Sequence, residues 1–139
     1  DTLTVRNPAN PAHVLGTVGQ AHLADVNHAM RLAAAAQPTW ARTPARERGA
    51  CLRRAAQLMR ERRTELSAVV VLEVGKTWRE ADVEIVEAIE YLEYYSHLML
   101  ELERGKLLLQ LPGERNHYRY VPRGVAAVIA PWYHSQRAS

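Results

Sequence analysis

Apolar side chains recur at helical spacing along much of the chain, most clearly between residues 78 and 102. In that segment they lie alternately four and three residues apart, with no Gly or Pro between them, which predicts one long amphipathic helix. The apolar positions are Ala81, Ile85, Ala88, Leu92, Tyr95 and Met99, and Ile89 widens the stripe.

Three shorter helices are predicted before it. The first is expected to have Asp25 as its N-cap and to end at Pro38, because proline interrupts a helix. The second is expected to begin at Thr43-Pro44, with the proline at the first helical position. The third is expected to run from Thr64 to Gly75, since glycine commonly ends helices.

Apolar patterns near both ends of the chain predict strands. Residues 13–18 alternate and predict a short strand, after an opening of extended chain and turns. Residues 106–121 contain a turn at Pro112-Gly113 between two segments of strand character, which predicts an antiparallel hairpin. Residues 125–130 are apolar on both faces, as is typical of a central strand in a covered parallel sheet.

The strand predicted at 125–130 has no neighbour to pair with. Nine residues follow it, whereas a parallel neighbour needs a crossover of about a dozen or more. An unpaired strand exposes backbone donors and acceptors, so it must find a partner. We therefore expect an α+β fragment, with packed helices, a β-hairpin and the first strand of an α/β, Rossmann-like domain that is otherwise missing. Self-association of the chain is the other way to pair this strand.

Composition limits the class of protein. The 139 residues are 47% apolar and 24% charged, which is ordinary for a soluble globular protein. A single cysteine, Cys51, excludes an internal disulfide. The opening lacks a secretory leader pattern, and the longest apolar run has nine residues, far below the ~20 that span a bilayer. We therefore expect a cytoplasmic protein without a membrane segment.

The net charge of +3 is divided between a basic and an acidic block. Arginines crowd residues 42–63, and acids crowd residues 80–101. A basic block alone would suggest nucleic acid, but two opposed blocks favour helices that pair with each other, so no nucleic-acid partner is expected. The six histidines are scattered without metal-ligand spacing, so no metal is expected.

Few residues suggest chemistry by themselves. The sequence contains no GxGxxG, GxxxxGK[ST], HExxH or GxSxG motif. Cys51 lies among arginines, but no base is spaced to activate its thiol. Glu87 is singled out because it lies one step beside the apolar stripe of the long helix, with Tyr91 and Tyr94 at i+4 and i+7. From the residues alone, Glu87 is expected to be a surface carboxylate.

Several segments resemble the N-terminal portion of the aldehyde dehydrogenase family, over roughly residues 7–132. Tyr-Val-Pro-Arg-Gly-Val at 120–125 and Val-Ile-Ala-Pro-Trp at 128–132 resemble its P-x-G-V turn and I-x-P-W-N motif. Asn7-Pro8-Ala9 resembles its opening turn, and residues 72–77 resemble its E-x-G-K helix end. Residues 81–95 resemble the branch that oxidises glutamate semialdehyde, the 1-pyrroline-5-carboxylate dehydrogenases.

The resemblance implies a parent enzyme that oxidises glutamate semialdehyde to glutamate with NAD, in proline catabolism. It implies that Glu87 holds the amino group of the substrate and that the hairpin 106–121 is an oligomerisation arm. Residues 1–105 would be the helical N-terminal part of the cofactor-binding domain, and residues 122–132 the first strand of the nucleotide-binding sheet. The residues implied to lie against NAD are Ile129, Ala130, Pro131 and Trp132.

The tail departs from the family pattern. Tyr133 stands where the family has Asn after its I-x-P-W residues, and residues 133–139 show no resemblance. The family's nucleophilic Cys and general-base Glu lie further downstream, and Cys51 does not match that Cys. We therefore expect the chain alone to be inactive and to bind no NAD. The alternative function is a non-catalytic assembly module, a homo-oligomer formed through the hairpin and the unpaired strand.

Overall fold

The structure, a computed structural model, describes residues 1–129. These residues form a helix-rich α+β arrangement, which confirms the predicted class at this level. An N-terminal β-hairpin precedes four helices, and a short β-ladder follows them. The elements are β1 Thr2–Asn7, β2 Asn10–Gly19, α1 Leu23–Arg42, α2 Ala45–Glu61, α3 Arg63–Val74, α4 Trp78–Arg104, β3 Lys106–Leu107 and β4 His117–Tyr118.

The opening hairpin is more extensive than the sequence predicted. β1 pairs antiparallel with β2, from Thr2 opposite Gly19 to Asn7 opposite Asn10. At the turn, the Asn7 side-chain oxygen accepts a hydrogen bond of 2.9 Å from the Ala9 amide. The prediction of one short strand at 13–18 was therefore too small, because β1 alternates polar and apolar residues without a buried face that would mark it. The prediction that residues 1–105 form a helical part is therefore correct only for the residues that follow this hairpin.

Helix α1 differs from its prediction at both ends. It begins at Leu23 with His22 as N-cap, and Asp25 lies at the third helical position, where its carboxylate accepts a 2.8 Å hydrogen bond from the His22 amide. Pro38 lies inside the helix instead of ending it. The helix continues past Pro38 to Arg42, and the Thr43 amide donates to the carbonyls of Thr39 and Trp40 at its last turn.

The ends of the other helices agree with the predictions to within a residue or two. Pro44 is the N-cap of α2 and not its first residue. Gly75 ends α3 with φ of 77°, the left-handed conformation that glycine adopts most easily. A side chain there would also meet the Pro8 ring of the hairpin turn at 2.8 Å. Thr77 caps α4 in a reciprocal arrangement with Glu80.

The core lies where α4 packs on α2 and α3. Its centre is Ala56, Ile85 and Ile89, with Met59, Leu66, Val70 and Leu92 packed around it. Small residues let α2 and α4 approach closely, since a Cβ added to Gly49 would stand 3.1 Å from the Ser96 carbonyl oxygen. Ser96 is buried and Tyr95 is exposed, so the predicted stripe was wrong at that position. The short, polar Ser96 gave no apolar signal.

The C-terminal part of the described chain is mostly irregular. The hairpin predicted at 106–121 forms as a ladder of two residues a side, with Lys106 opposite Tyr118 and Leu107 opposite His117. No strand forms within residues 122–129, where Val128 and Ile129 are 94% and 90% exposed. The predicted strand at 122–132 is therefore not confirmed. The reason is physical, because a strand exists only when hydrogen-bonded to a neighbour.

Candidate functional site

Glu87 borders an open groove of about 310 Å³ on the surface of α4. Ile85 points into the core, so a residue two positions further along the helix lies on its flank, and Glu87 is accordingly half-buried. The surface of the groove is mostly apolar, and we call this apolar surface its floor; its polar groups belong to Glu84, Glu87 and Tyr91. The lining residues are Val70 of α3 and Glu84, Ile85, Glu87, Ala88 and Tyr91 of α4.

The two carboxylates of the groove differ in their partners. Glu84 forms an ion pair with Lys76, and each side chain of the pair is about three-quarters buried. Among residues 1–129, no Lys, Arg or His forms an ion pair with Glu87. A charge already paired gains little from a second cation, so Glu87 is the carboxylate in this groove that can receive one.

Tyrosines follow Glu87 along the helix. The negative charge of Glu87 raises the pKa of the Tyr91 hydroxyl, and partial burial and hydrogen bonding to the same carboxylate act in the same direction. Tyr91 stacks on Tyr95 with ring centroids 5.8 Å apart, and Tyr94 meets Tyr95 edge-on at 5.4 Å. A carboxylate beside an aromatic ring and an apolar floor suits a small ligand that carries an ammonium group.

The residues predicted to lie against NAD are not brought to this groove. Ile129 is described and is 90% exposed, and it is not among the groove residues. Ala130, Pro131 and Trp132 lie outside the described residues. The structure therefore describes the substrate-side candidate, Glu87, in full, and one residue of the four predicted at the cofactor.

The helix N-termini in the described chain are occupied by its own carboxylates. A helix N-terminus can bind a phosphate, because its free amides and dipole attract an anion. Here α3 has Glu65 in its first turn, paired with Arg62. The other three have an acid bonded to a terminal amide: Asp25 to His22 at 2.8 Å, Glu103 to Ala45 at 2.6 Å and Glu80 to Thr77 at 3.1 Å.

Other chemistry is limited in residues 1–129. The Cys51 thiol is exposed and donates to the Glu47 carbonyl of its own helix, 3.6 Å away. No group of three His, Cys, Asp or Glu side chains within this range is arranged to hold a metal ion. No helix of the described part combines the length and apolar character needed to cross a membrane.

The opposed charge blocks pair as the sequence predicted. Arg60 of α2 donates to Glu93 of α4 at 2.9 Å, and Arg63 of α3 binds Asp82 of α4 through both carboxylate oxygens. The pKa of Asp82 is lowered by its hydrogen bonds from Arg63. The basic residues of α2 and α3 therefore help to hold α4, the helix that carries Glu87.

A sequence model of the aldehyde dehydrogenase family matches residues 1–135. The chain belongs to the aldehyde dehydrogenase family. It is 46% identical over 132 residues to the 1-pyrroline-5-carboxylate dehydrogenase of Geobacillus thermodenitrificans, a match that covers 95% of this chain and 26% of that enzyme. The corresponding enzyme of Bacillus licheniformis is 46% identical over 126 residues, covering 91% of this chain and 24% of that one.

Solved structures give the same family. The structure of a Thermus 1-pyrroline-5-carboxylate dehydrogenase with bound NAD superposes with a TM-score of 0.90 and 40% identity, covering 95% of this chain and 26% of that one. Proline utilization A from Bdellovibrio bacteriovorus superposes at 0.86 with 36% identity, covering 88% and 13%. The chain thus spans about a quarter of the length of the curated aldehyde dehydrogenases that it matches.

The sequence missed part of the groove. Glu87 and Tyr91 share a helix face at i, i+4 spacing, a signal that sequence reasoning can use. Val70 comes from another helix, and the Lys76 that neutralises Glu84 precedes the N-terminus of α4. Those two depend on how α3 turns into α4, which no local pattern specifies.

Proposed function

We propose that this chain is the part of an NAD-dependent 1-pyrroline-5-carboxylate dehydrogenase that presents Glu87 to the amino group of glutamate semialdehyde. The observation that carries the proposal is the similarity to named 1-pyrroline-5-carboxylate dehydrogenases along nearly the whole chain. The groove supports it independently, because its one carboxylate without an ion pair among residues 1–129 faces a site with an apolar floor.

The chemical role of Glu87 is selection of the substrate. Glutamate semialdehyde has an ammonium group that simple aldehydes lack, and a carboxylate is the natural receptor for it. Binding at a remote ammonium fixes the orientation of the aldehyde carbon, so the interaction also contributes to the rate of the reaction.

In this proposal the described residues alone hold no dinucleotide. Their helix N-termini hold carboxylates where phosphate would bind, and Ile129 stands exposed. NAD is the hydride acceptor in such an enzyme. In the longer enzyme we place it against Ile129, Ala130, Pro131 and Trp132, with the nucleophile and general base on parts that this chain does not contain. The 139-residue chain is accordingly inactive and binds no NAD in this proposal.

A chimeric enzyme tests the function. Residues 1–129 replace the homologous segment of the Geobacillus thermodenitrificans enzyme, and NADH formation is followed at 340 nm with glutamate semialdehyde and with propionaldehyde, which has no amino group. We expect turnover of glutamate semialdehyde, and a KM for it that rises at least about tenfold in Glu87→Gln, because a hydrogen bond to a charged group is lost.

Glu90→Gln is the matched control, since Glu90 is an exposed acid on the same helix. The expected KM of this variant is unchanged. A chimera that does not oxidise glutamate semialdehyde, or a Glu87→Gln effect no larger than that of Glu90→Gln, would contradict the proposal. For the isolated 139-residue chain the expected result is no NADH from glutamate semialdehyde, and any sustained NADH formation overturns its inactivity.

A second candidate function is self-association of the chain as a non-catalytic module. The exposed apolar residues of its C-terminal part favour it, because such surface tends to be covered by a partner. We propose that the hairpin 106–121 and residues 125–130 supply the contact. Light scattering over a concentration series tests this, with a stable oligomer as the expected result and a concentration-independent monomer as the contrary one. The exposed residues include Leu107, Leu109, Val121, Val128 and Ile129.

A further inference from the structure

Tyr91 stands one helical turn after Glu87 and lines the same groove. Side chains on an α-helix lean towards its N-terminus, so a long residue at i+4 covers the turn that contains residue i. The phenol of Tyr91 therefore extends towards the Glu87 carboxylate and not away from it. The geometry of α4 itself therefore places Glu87 and Tyr91 side by side in the groove.

The ring of Tyr91 is supported from its other side. Tyr95 lies one more turn along and stacks on it, with centroids 5.8 Å apart and planes 18° from parallel. Tyr94 in turn meets Tyr95 edge-on. Offset stacks of this kind contribute beyond the burial of area. The stack therefore favours the Tyr91 rotamer that places its ring against Tyr95.

The electrostatics agree with this geometry. The charge of Glu87 is the largest cause of the raised pKa of Tyr91, which means that the neutral, hydrogen-donating phenol is the form favoured beside the carboxylate. The other carboxylate of the groove, Glu84, is held by Lys76 and does not compete for the phenol.

We propose that Tyr91 is a positioning residue for Glu87: its hydroxyl donates a hydrogen bond to the carboxylate and keeps it over the groove, where an ammonium group is received. This role rests on the proposed function of Glu87. A free glutamate on a helix flank samples several rotamers and turns into solvent. A tyrosine one turn later selects the rotamer that keeps the second carboxylate oxygen available to the ligand.

The 139-residue chain itself provides the first test. Phenol ionisation is followed at 295 nm, and the Tyr91 titration is isolated as the difference between the parent chain and Tyr91→Phe. We expect this phenol to titrate above the ordinary value of about 10, and to return towards it in Glu87→Gln. An unchanged Tyr91 titration in Glu87→Gln overturns the contact. This readout needs no enzyme activity.

The chimeric enzyme provides the second test. Tyr91→Phe keeps the ring and the groove and removes the hydroxyl, and we expect KM for glutamate semialdehyde to rise about fivefold from loss of one hydrogen bond, with propionaldehyde turnover unchanged. Tyr94→Phe loses the same hydroxyl outside the groove and is expected to match the parent. An equal loss on both aldehydes, or no difference between the two variants, overturns the positioning role.

The proposed function and the positioning role of Tyr91 can be disproved separately. If the parent chimera does not discriminate between the aldehydes, the proposed function fails, whatever the phenol titration shows. If the parent chimera selects glutamate semialdehyde and Glu87→Gln abolishes the selection while Tyr91→Phe does not, the function stands and the positioning role is wrong.

Discussion

The three helices α2, α3 and α4 and the C-terminal residues 105–129 use apolar side chains in opposite ways. Every buried residue of the described chain lies between Ala45 and Ser96. Residues 106–129 contain none, although leucines, valines and an isoleucine are frequent there. Helix α1 resembles the C-terminal part in this respect, since it has no buried residue and exposes Leu23, Val26, Met30 and Trp40.

The difference shows that hydrophobicity alone does not make a core. In α2–α4, small residues allow close approach of the helices, and the exposed ion pair Arg60–Glu93 links α2 to α4. In residues 105–129 the apolar side chains have no second layer among the described residues to pack against. Glu87 lies in the packed region, and its groove is lined by residues of α3 and α4 alone.

A matched pair of isoleucine truncations gives the largest expected effect. Ile89 is 4% exposed in the core and Ile129 is 90% exposed. Ile89→Ala is expected to lower the free energy of unfolding by about 3 kcal/mol, from lost transfer energy and a residual cavity. Ile129→Ala is expected to change it by less than about 0.5 kcal/mol. Urea denaturation followed by circular dichroism measures the free energy of unfolding of both variants. An equal loss of stability in the two variants would mean that the two regions are packed equally well.

The close contact of α2 with α4 gives the next effect. A Cβ at Gly49 stands 3.1 Å from the Ser96 carbonyl oxygen, a backbone atom that cannot move easily. Gly49→Leu is expected to destabilise the chain by about 1–3 kcal/mol through overpacking. Ala50→Leu, at the neighbouring exposed position, serves as the control and is expected to be nearly neutral. Destabilisation of the same size in both variants would mean that the helices do not touch at Gly49.

A feature of the fold or of the groove can be predicted from the sequence when its cause lies in neighbouring residues of the chain. Helix α4, its capping and the stop at Gly75 follow from neighbours in the chain, so their patterns predict them. The burial of Ser96 was missed because it depends on Gly49 of the facing helix. Pro38 was wrongly predicted to end α1, which continues past it to Arg42. Val70 and Lys76 join the Glu87 groove only through the turn between α3 and α4. The strand predicted at 122–132 is not confirmed within residues 122–129, because an apolar pattern favours a strand but does not supply the neighbour that it must pair with.

Capping of α4 gives a smaller effect. The Thr77 hydroxyl accepts from the Glu80 amide at 3.3 Å, and the Glu80 carboxylate accepts from the Thr77 amide. Thr77→Ala is expected to cost about 1 kcal/mol, and Thr77→Ser, which keeps the hydroxyl, is expected to cost little. The cap belongs to the helix that carries Glu87. If loss of the cap destabilises α4 and leaves residues 105–129 unchanged, the two regions are independent of each other. A cost in Thr77→Ser equal to that in Thr77→Ala would exclude the capping explanation.

The ion pair between α3 and α4 gives the smallest effect, because exposed pairs contribute little. Hydrogen bonds from Arg63 lower the pKa of Asp82 in the folded chain. The pair therefore stabilises the fold above the ordinary carboxyl pKa, and this contribution is lost as the pH falls through the lowered value.

Urea midpoints of the parent chain and of Asp82→Asn test this between pH 7 and pH 2. We expect the parent to be slightly more stable at pH 7 and the two curves to converge at the acid end. A difference that persists unchanged to the lowest pH would show that Asp82 acts through packing and not through its charge.

Hydrogen exchange of the purified 139-residue chain, read by mass spectrometry, tests most directly whether the helices hold the Glu87 groove by themselves. Backbone amides buried in a stable unit exchange slowly, and those of unpacked segments exchange at once. We predict strong protection in peptides from α2, α3 and α4, including the one that contains Glu87 and Tyr91, and rapid exchange in peptides from residues 106–129. Exchange of the Glu87 peptide as fast as that of residues 106–129 would contradict this prediction.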